Sequence, residues 1–120
     1  MSKLKTYKEL IVWQKAILLV NEVYKFTKTF PEDEKFGLVS QMRRSSVSIP
    51  SNIAEGWGRM SKKNYIQFLR TARGSLFELE TQIIISVDLN FNSNNEKIES
   101  LIVEISKMLN ALIRSLNEKE

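Results

Sequence analysis

The segment RRSSVSIPSNIAEGWGRMSKK, from Arg43 to Lys63, holds the residue types in this chain that are most able to do chemistry. Four serines lie between residues 45 and 51, and a serine nucleophile needs a general base beside it. The chain contains no histidine and no cysteine. It also has neither a Gly-x-Ser-x-Gly elbow nor a Gly-Lys-Ser/Thr phosphate loop. The serines therefore favour close helix packing over a reactive site or a phosphate-binding site.

The one carboxylate in this segment, Glu55, needs a second titratable group to act as an acid or a base. On a helix, Glu55 shares a face with Asn52, three residues earlier, and with Arg59, four residues later. This spacing favours a structural ion pair, with a contact between subunits as the alternative. Glu78 and Glu80 are two residues apart and point to different faces. The sequence therefore predicts no catalytic site, metal site or cofactor, and a protein that is not an enzyme.

The charge of the chain is unevenly distributed. Eight basic residues and one acidic residue lie between Lys35 and Phe77, a net charge of +7, whereas the remaining residues carry −3. Arginine guanidinium groups suit phosphate, so the basic segment favours contact with nucleic acid; a solvated or internally ion-paired face is the alternative. The candidate nucleic-acid-binding residues are Arg43, Arg44, Arg59, Lys62, Lys63, Arg70 and Arg73. The last four are expected on one side of a helix, opposite much of its Leu69–Leu76 stripe.

Four helices must position these residues, at approximately 7–28, 32–57, 62–89 and 96–117. Apolar residues recur at intervals of three and four in each segment, and no segment alternates as a strand would. Short connections make consecutive helices antiparallel neighbours. The sequence therefore predicts an all-α protein in which residues 1–120 form one domain, a single up-down-up-down four-helix bundle.

Three positions bear on how these helices pack. Pro50 lies inside the second helix, where it either kinks one continuous helix or separates two shorter ones; the lack of a polar turn favours the first. Gly74, near the middle of the third helix, indicates that a neighbouring backbone approaches closely. Trp57, between two glycines, favours packing on the core edge or on a neighbouring subunit, with stacking on a base as the alternative. Pro50, Asn52, Glu55, Trp57 and Gly74 are therefore structural or interface candidates.

The chain has more apolar surface than one small bundle can bury. In the first helix the main apolar stripe is Leu10, Trp13, Ile17, Val20 and Tyr24. Further apolar residues lie outside the main stripes of the first and third helices: Ile11, Val12, Leu18, Leu19, Ile66, Phe68, Phe77, Ile84 and Ile85. Exposed apolar patches usually mark an interface, so this surplus predicts a homo-oligomer.

Composition points to a soluble protein. The chain is 42% hydrophobic, with a net charge of +4 and a pI near 9.4. The first residues, MSKLKTYKEL, lack the apolar core of a signal peptide. The longest apolar run, from Ala16 to Val20, is too short to span a bilayer. We expect a cytoplasmic protein with no membrane partner.

The motifs RRSSVSIPSNIAEGWGR and YIQFLRTARGSLFELETQI, with the N-terminal LIVWQKAILLVNEVYKFT, resemble a known family. It is the four helix bundle protein family encoded in intervening sequences of bacterial large-subunit ribosomal RNA genes. The accessory variability determinant of diversity-generating retroelements looks like a relative. The resemblance extends from about Tyr7 to Leu116. It implies a four-helix bundle, a ring-shaped homopentamer and a positively charged surface suited to nucleic acid.

Two functions are compatible with the residues and the resemblance. The first is a non-enzymatic, oligomeric bundle that contacts the phosphates of structured RNA or DNA through its basic surface. The second is a protein-interaction scaffold, or an accessory subunit of a nucleic-acid enzyme such as the reverse transcriptase that partners the retroelement relatives. The sequence does not separate them.

Overall fold

The structure is a computed structural model that describes residues 4–118. Its four long helices are α1 (Ile11–Thr27), α2 (Leu38–Trp57), α3 (Lys62–Asp88) and α4 (Glu96–Glu118). Short 3-10 helices at Tyr7–Glu9 and Glu32–Glu34 precede α1 and α2. The described residues contain no strand. The prediction of an all-α protein with four helices is confirmed.

The four helices pack side by side in chain order, and α4 returns to contact α1. Polar links show that α1 and α4 run antiparallel, because Lys15 pairs with Glu104 and Glu22 pairs with Lys97. Burial alone would raise the pKa of Glu22, but Lys97, together with Lys25 on α1, outweighs it and lowers that pKa. The same reversed order relates α2 to α3, because Ser48 meets Ser75 and Met42 meets Ser86, and the bundle measures 49 × 23 × 20 Å.

Both early helices begin later than the apolar pattern predicted. Leu10 is extended, so α1 starts at Ile11. Glu32–Glu34 form only a 3-10 turn, and α2 starts at Leu38, whose N–H donates to the Glu34 carboxylate over 3.1 Å. That side chain satisfies one of the amides that a helix start leaves without a partner.

The core contradicts the predicted face of α1. The buried residues of α1 are Val12, Ala16, Leu19, Val23, Phe26 and Thr27. The predicted stripe from Leu10 to Tyr24 is instead half-buried or exposed, on the flank beside α2. The error is a rotation of about one residue, or roughly 100°, and it arises because α1 carries two apolar stripes. On α3 the predicted stripe is correct from Leu69 to Ile83.

Pro50 lies inside a single α2 helix, so the prediction of one continuous helix is confirmed. Proline has no N–H, so the Ser46 carbonyl lacks the helical hydrogen bond that it would accept from residue 50. Side chains donate hydrogen bonds to backbone carbonyls on both sides of the missing bond. The Ser46 hydroxyl donates to the Arg43 carbonyl over 2.8 Å, and the Asn52 amide donates to the Ser48 carbonyl over 2.8 Å.

A close approach between helices occurs at Gly56 and not at Gly74. A Cβ on Gly56 would lie 2.8 Å from the Phe68 Cβ and 3.2 Å from the Tyr65 carbonyl oxygen. A Cβ on Gly74 would meet nothing within 4 Å among the described residues. The prediction for Gly74 is therefore wrong within this chain, because Gly74 lies on the exposed face of α3.

Candidate nucleic-acid interface

The structure divides the seven candidate cations into two groups, and Arg43 belongs to the group already engaged. Its Nε donates to the Thr27 hydroxyl over 3.0 Å, and its Nη2 donates to the Tyr24 carbonyl over 3.4 Å. The guanidinium also lies 4.4 Å from the centre of the Tyr24 ring. Arg43 therefore ties α2 to α1 and is held in place before any ligand binds.

Arg59 and Arg73 are also engaged within the chain. Arg59 pairs with Glu55 over 2.8 Å, as the four-residue spacing predicted, and its guanidinium lies 4.9 Å from the centre of the Phe68 ring. Arg73 donates to the Asn110 side chain of α4 over 2.8 Å. Arg73 is half-buried beside α4, so the expectation that it lies opposite the apolar stripe of α3 is wrong.

The remaining four cations are exposed: Arg44, Lys62, Lys63 and Arg70. Within the described residues, their side chains form no ion pair or hydrogen bond. Lys63 and Arg70 share the outer face of α3, seven residues apart, or roughly 10 Å along the helix axis. Lys62 and Lys63 follow directly on Ser61, whose hydroxyl caps α3 by accepting from the Asn64 N–H. These four side chains are free to meet phosphate groups.

Polar residues near the cations hold α2 against α3. The Ser48 hydroxyl lies 2.9 Å from the Ser75 hydroxyl and accepts from the Asn52 amide over 2.9 Å. Asn52 is thus bonded to Ser48 and not to Glu55. Residues 4–118 contain no cluster of three acidic, histidine or cysteine residues that could hold a metal ion.

Trp57 packs within the chain at the end of α2. It is half-buried, and its ring meets that of Tyr65 edge-on, with 6.5 Å between the centroids. Burial raises the pKa of Tyr65. This contact agrees with the predicted packing role of Trp57.

The sequence did not indicate that the aromatic ring of Phe36 is exposed beside the cations. The Phe36 side chain is 88% exposed, and Lys35 Nζ lies 5.5 Å from the centre of its ring. Phe36 falls within the second helix that the sequence predicts from about residue 32, but α2 begins only at Leu38. Because α2 starts late, Phe36 lies outside the helix. Gly37, which directly follows Phe36, is the one sequence feature that indicates this boundary.

The outer face of α3 changes character along its length. Lys63 and Arg70 occupy its first half, whereas Phe77, Ile84 and Ile85 remain 42–53% exposed in its second half. Of the surplus apolar residues, Val12, Leu19 and Ile66 are buried after all.

No helix within residues 4–118 has the length and apolar character needed to cross a membrane.

The fold defines a class of protein, an antiparallel four-helix bundle. Comparison with known proteins assigns the family. The chain belongs to the 23S rRNA-intervening sequence protein family, whose model matches residues 8–111. The family resemblance is thereby confirmed, whereas the relation to the retroelement determinant stays a prediction.

A solved structure supports the fold assignment. The chain is similar to a protein of unknown function from the S23 ribosomal protein family of Bacteroides thetaiotaomicron VPI-5482, with a TM-score of 0.76 and 26% sequence identity. The similarity covers 86% of this chain and 98% of the other. No curated protein gives a significant match.

Proposed function

We propose that this protein is a non-enzymatic binder of structured nucleic acid, and that it contacts phosphates through Arg44, Lys62, Lys63 and Arg70. One observation carries the proposal. These four cations are exposed without a partner in the described residues, while Glu55, the lone acid between Lys35 and Phe77, is paired with Arg59. The positive charge of this region is therefore left for an external anion.

The family description supports RNA as the ligand class. It names an intervening sequence of 23S ribosomal RNA, and such an RNA is dense in phosphate. Recognition would depend on charge and shape, since contacts of lysine and arginine with phosphates carry no sequence information directly. The proposed setting is the cytoplasm.

The proposed binder acts as a homo-oligomer. The support is the second half of the outer face of α3, where Phe77, Ile84 and Ile85 are left partly exposed. Exposed apolar surface of this kind usually marks an interface. Repetition of the basic surface in an assembly would add avidity to modest contacts in each subunit. The resemblance to the family favours a ring of five.

A second candidate uses the same surfaces differently. The basic region docks an acidic or RNA-loaded protein, such as a reverse transcriptase, and the chain serves as an accessory scaffold. The exposed apolar residues of α3 suit a protein partner as well as they suit a second copy of this chain.

The test is a charge-reversal variant with a matched control. Lys62→Glu/Lys63→Glu/Arg70→Glu removes free cations of the proposed surface, whereas Lys8→Glu/Lys107→Glu/Arg114→Glu changes the net charge equally at exposed positions elsewhere. We expect the first variant to bind a structured RNA at least about 10-fold more weakly than the control variant, since each lost phosphate contact weakens a salt-sensitive interaction.

Circular dichroism of both variants confirms that the bundle is intact. Equal weakening by the two triple variants would show that only net charge matters and would contradict the proposed surface. Absence of RNA and DNA binding by the unmodified protein would refute nucleic-acid binding and favour the protein scaffold.

A further inference from the structure

The groove beside Phe36 combines aromatic rings with cations. It has a volume of about 680 Å³ and runs along the outside of α2. Two aromatic rings and three cations line it, Tyr24 and Phe36 with Lys35, Arg43 and Arg44. None of its lining residues is acidic. A groove of this size accommodates a small organic ligand.

The three cations of this groove are held to different degrees. Arg43 is fixed against the Tyr24 ring and the Thr27 hydroxyl. Arg44 is exposed, with no side-chain partner among the described residues. Glu78 lies with Arg44 in the adjoining groove, on the α3 side, at a distance that forms no ion pair. Arg44 can therefore turn toward an anion in either groove.

The Phe36 ring is open to a planar ligand. Lys35 lies near it, and 88% of the side chain is exposed. Aromatic rings flanked by cations are how proteins hold single-stranded nucleic acid, because bases stack on the ring and phosphates meet the cations. The bases of a duplex are already stacked on one another, so an open ring offers a duplex much less.

We propose that the groove formed by Tyr24, Lys35, Phe36, Arg43 and Arg44 binds an unpaired nucleotide, with its base stacked on Phe36 and its phosphates on Arg44 and Lys35. This inference rests on the proposed function and deepens it: the protein prefers RNA or DNA that presents single-stranded loops or ends. Aromatic rings and arginines would also suit a protein partner, but the addition of Lys35 and the absence of any acidic lining residue favour the phosphates of a nucleic acid.

The experiment compares a single strand of about 12 nucleotides with a duplex of the same length, using fluorescence anisotropy and the full chain. Phe36→Ala should weaken single-strand binding by roughly 5- to 100-fold, the loss of one stacked base. Duplex binding should change by less than about 2-fold, since the cations remain. Phe36→Trp should preserve single-strand affinity and add a third tryptophan to Trp13 and Trp57. The single strand should therefore quench more fluorescence in this variant than in the unmodified protein, whereas the duplex should quench both equally.

Three outcomes would overturn this proposal. Unchanged single-strand affinity in Phe36→Ala would show that no base stacks on Phe36, and equal losses for single strand and duplex would show that stacking is not the cause. A smaller sedimenting species for Phe36→Ala would make Phe36 a subunit contact instead. In these three cases the phosphate-binding function itself survives, whereas failure of the unmodified protein to bind either ligand would refute both proposals.

Discussion

Arg43 and Arg44 are adjacent in the sequence, yet a helix turns by about 100° per residue, so their side chains leave α2 in different directions. Arg43 reaches back to Tyr24 and Thr27 on α1, whereas Arg44 stays exposed. Composition identified both as candidate ligands of phosphate. Composition could not show that Arg43 is engaged and Arg44 exposed, because this difference depends on which carbonyl and hydroxyl groups of α1 lie within reach of each side chain.

Glycine gives a second contrast at the scale of single residues. At Gly56 an added Cβ would collide with Phe68 and the Tyr65 backbone, so Gly56→Ala should destabilise the fold by about 1–3 kcal/mol through overpacking. At Gly74 an added Cβ meets nothing within 4 Å. Gly74→Ala should therefore stabilise α3 by roughly 0.5–1 kcal/mol through helix propensity.

Urea denaturation followed by circular dichroism measures both variants. The two substitutions add the same methyl group, each to a helix. The opposite signs of their changes in unfolding free energy therefore report whether the added methyl group meets a neighbouring helix. A Gly56→Ala variant as stable as the unmodified chain would mean that α2 and α3 can move apart without cost, contrary to the close approach described above.

At the scale of elements, the sequence predicted the existence of the helices better than their ends or faces. Four periodic segments produced four helices. The start of α2 depended on Glu34 capping the Leu38 N–H, and the buried face of α1 depended on where α4 packs. Both are set by contacts rather than by periodicity, so an apolar pattern alone could not supply them.

The outer face of α3 carries the prediction that belongs to this scale. Phe77→Glu/Ile84→Glu places two charges on the exposed apolar half of the helix, and we expect it to dissociate the assembly because buried charges are costly. Ser100→Glu/Ser115→Glu on α4 is the control, with the same added charge at exposed polar positions. Sedimentation velocity measures the mass of each variant.

Two results would contradict this expectation. If the unmodified protein sediments as a single chain of 13.9 kDa at micromolar concentration, no homo-oligomer exists. If the α3 variant keeps the mass of the unmodified assembly, the subunits meet through another face.

At the scale of the whole molecule, the decisive feature is the separation of charge along the chain. The segment from Lys35 to Phe77 carries +7 and spans α2 and the first half of α3. Folding neutralises little of it, because Arg59 with Glu55 is the one ion pair that cations of this segment form among the described residues. The excess of positive charge was evident from the sequence. The groove beside Phe36 was not, because it brings α1, α2 and the preceding turn together.

The most direct test of the account is the salt dependence of binding by the unmodified, nuclease-treated protein to a structured RNA and to a duplex DNA of equal length. Four free cations per subunit release about four counterions. We therefore predict that the logarithm of the binding constant falls linearly with the logarithm of salt concentration, with a slope of about −3 or steeper. Binding that changes little across the salt series, or no binding to either ligand at low salt, would contradict the claim that this bundle holds nucleic acid by its phosphates.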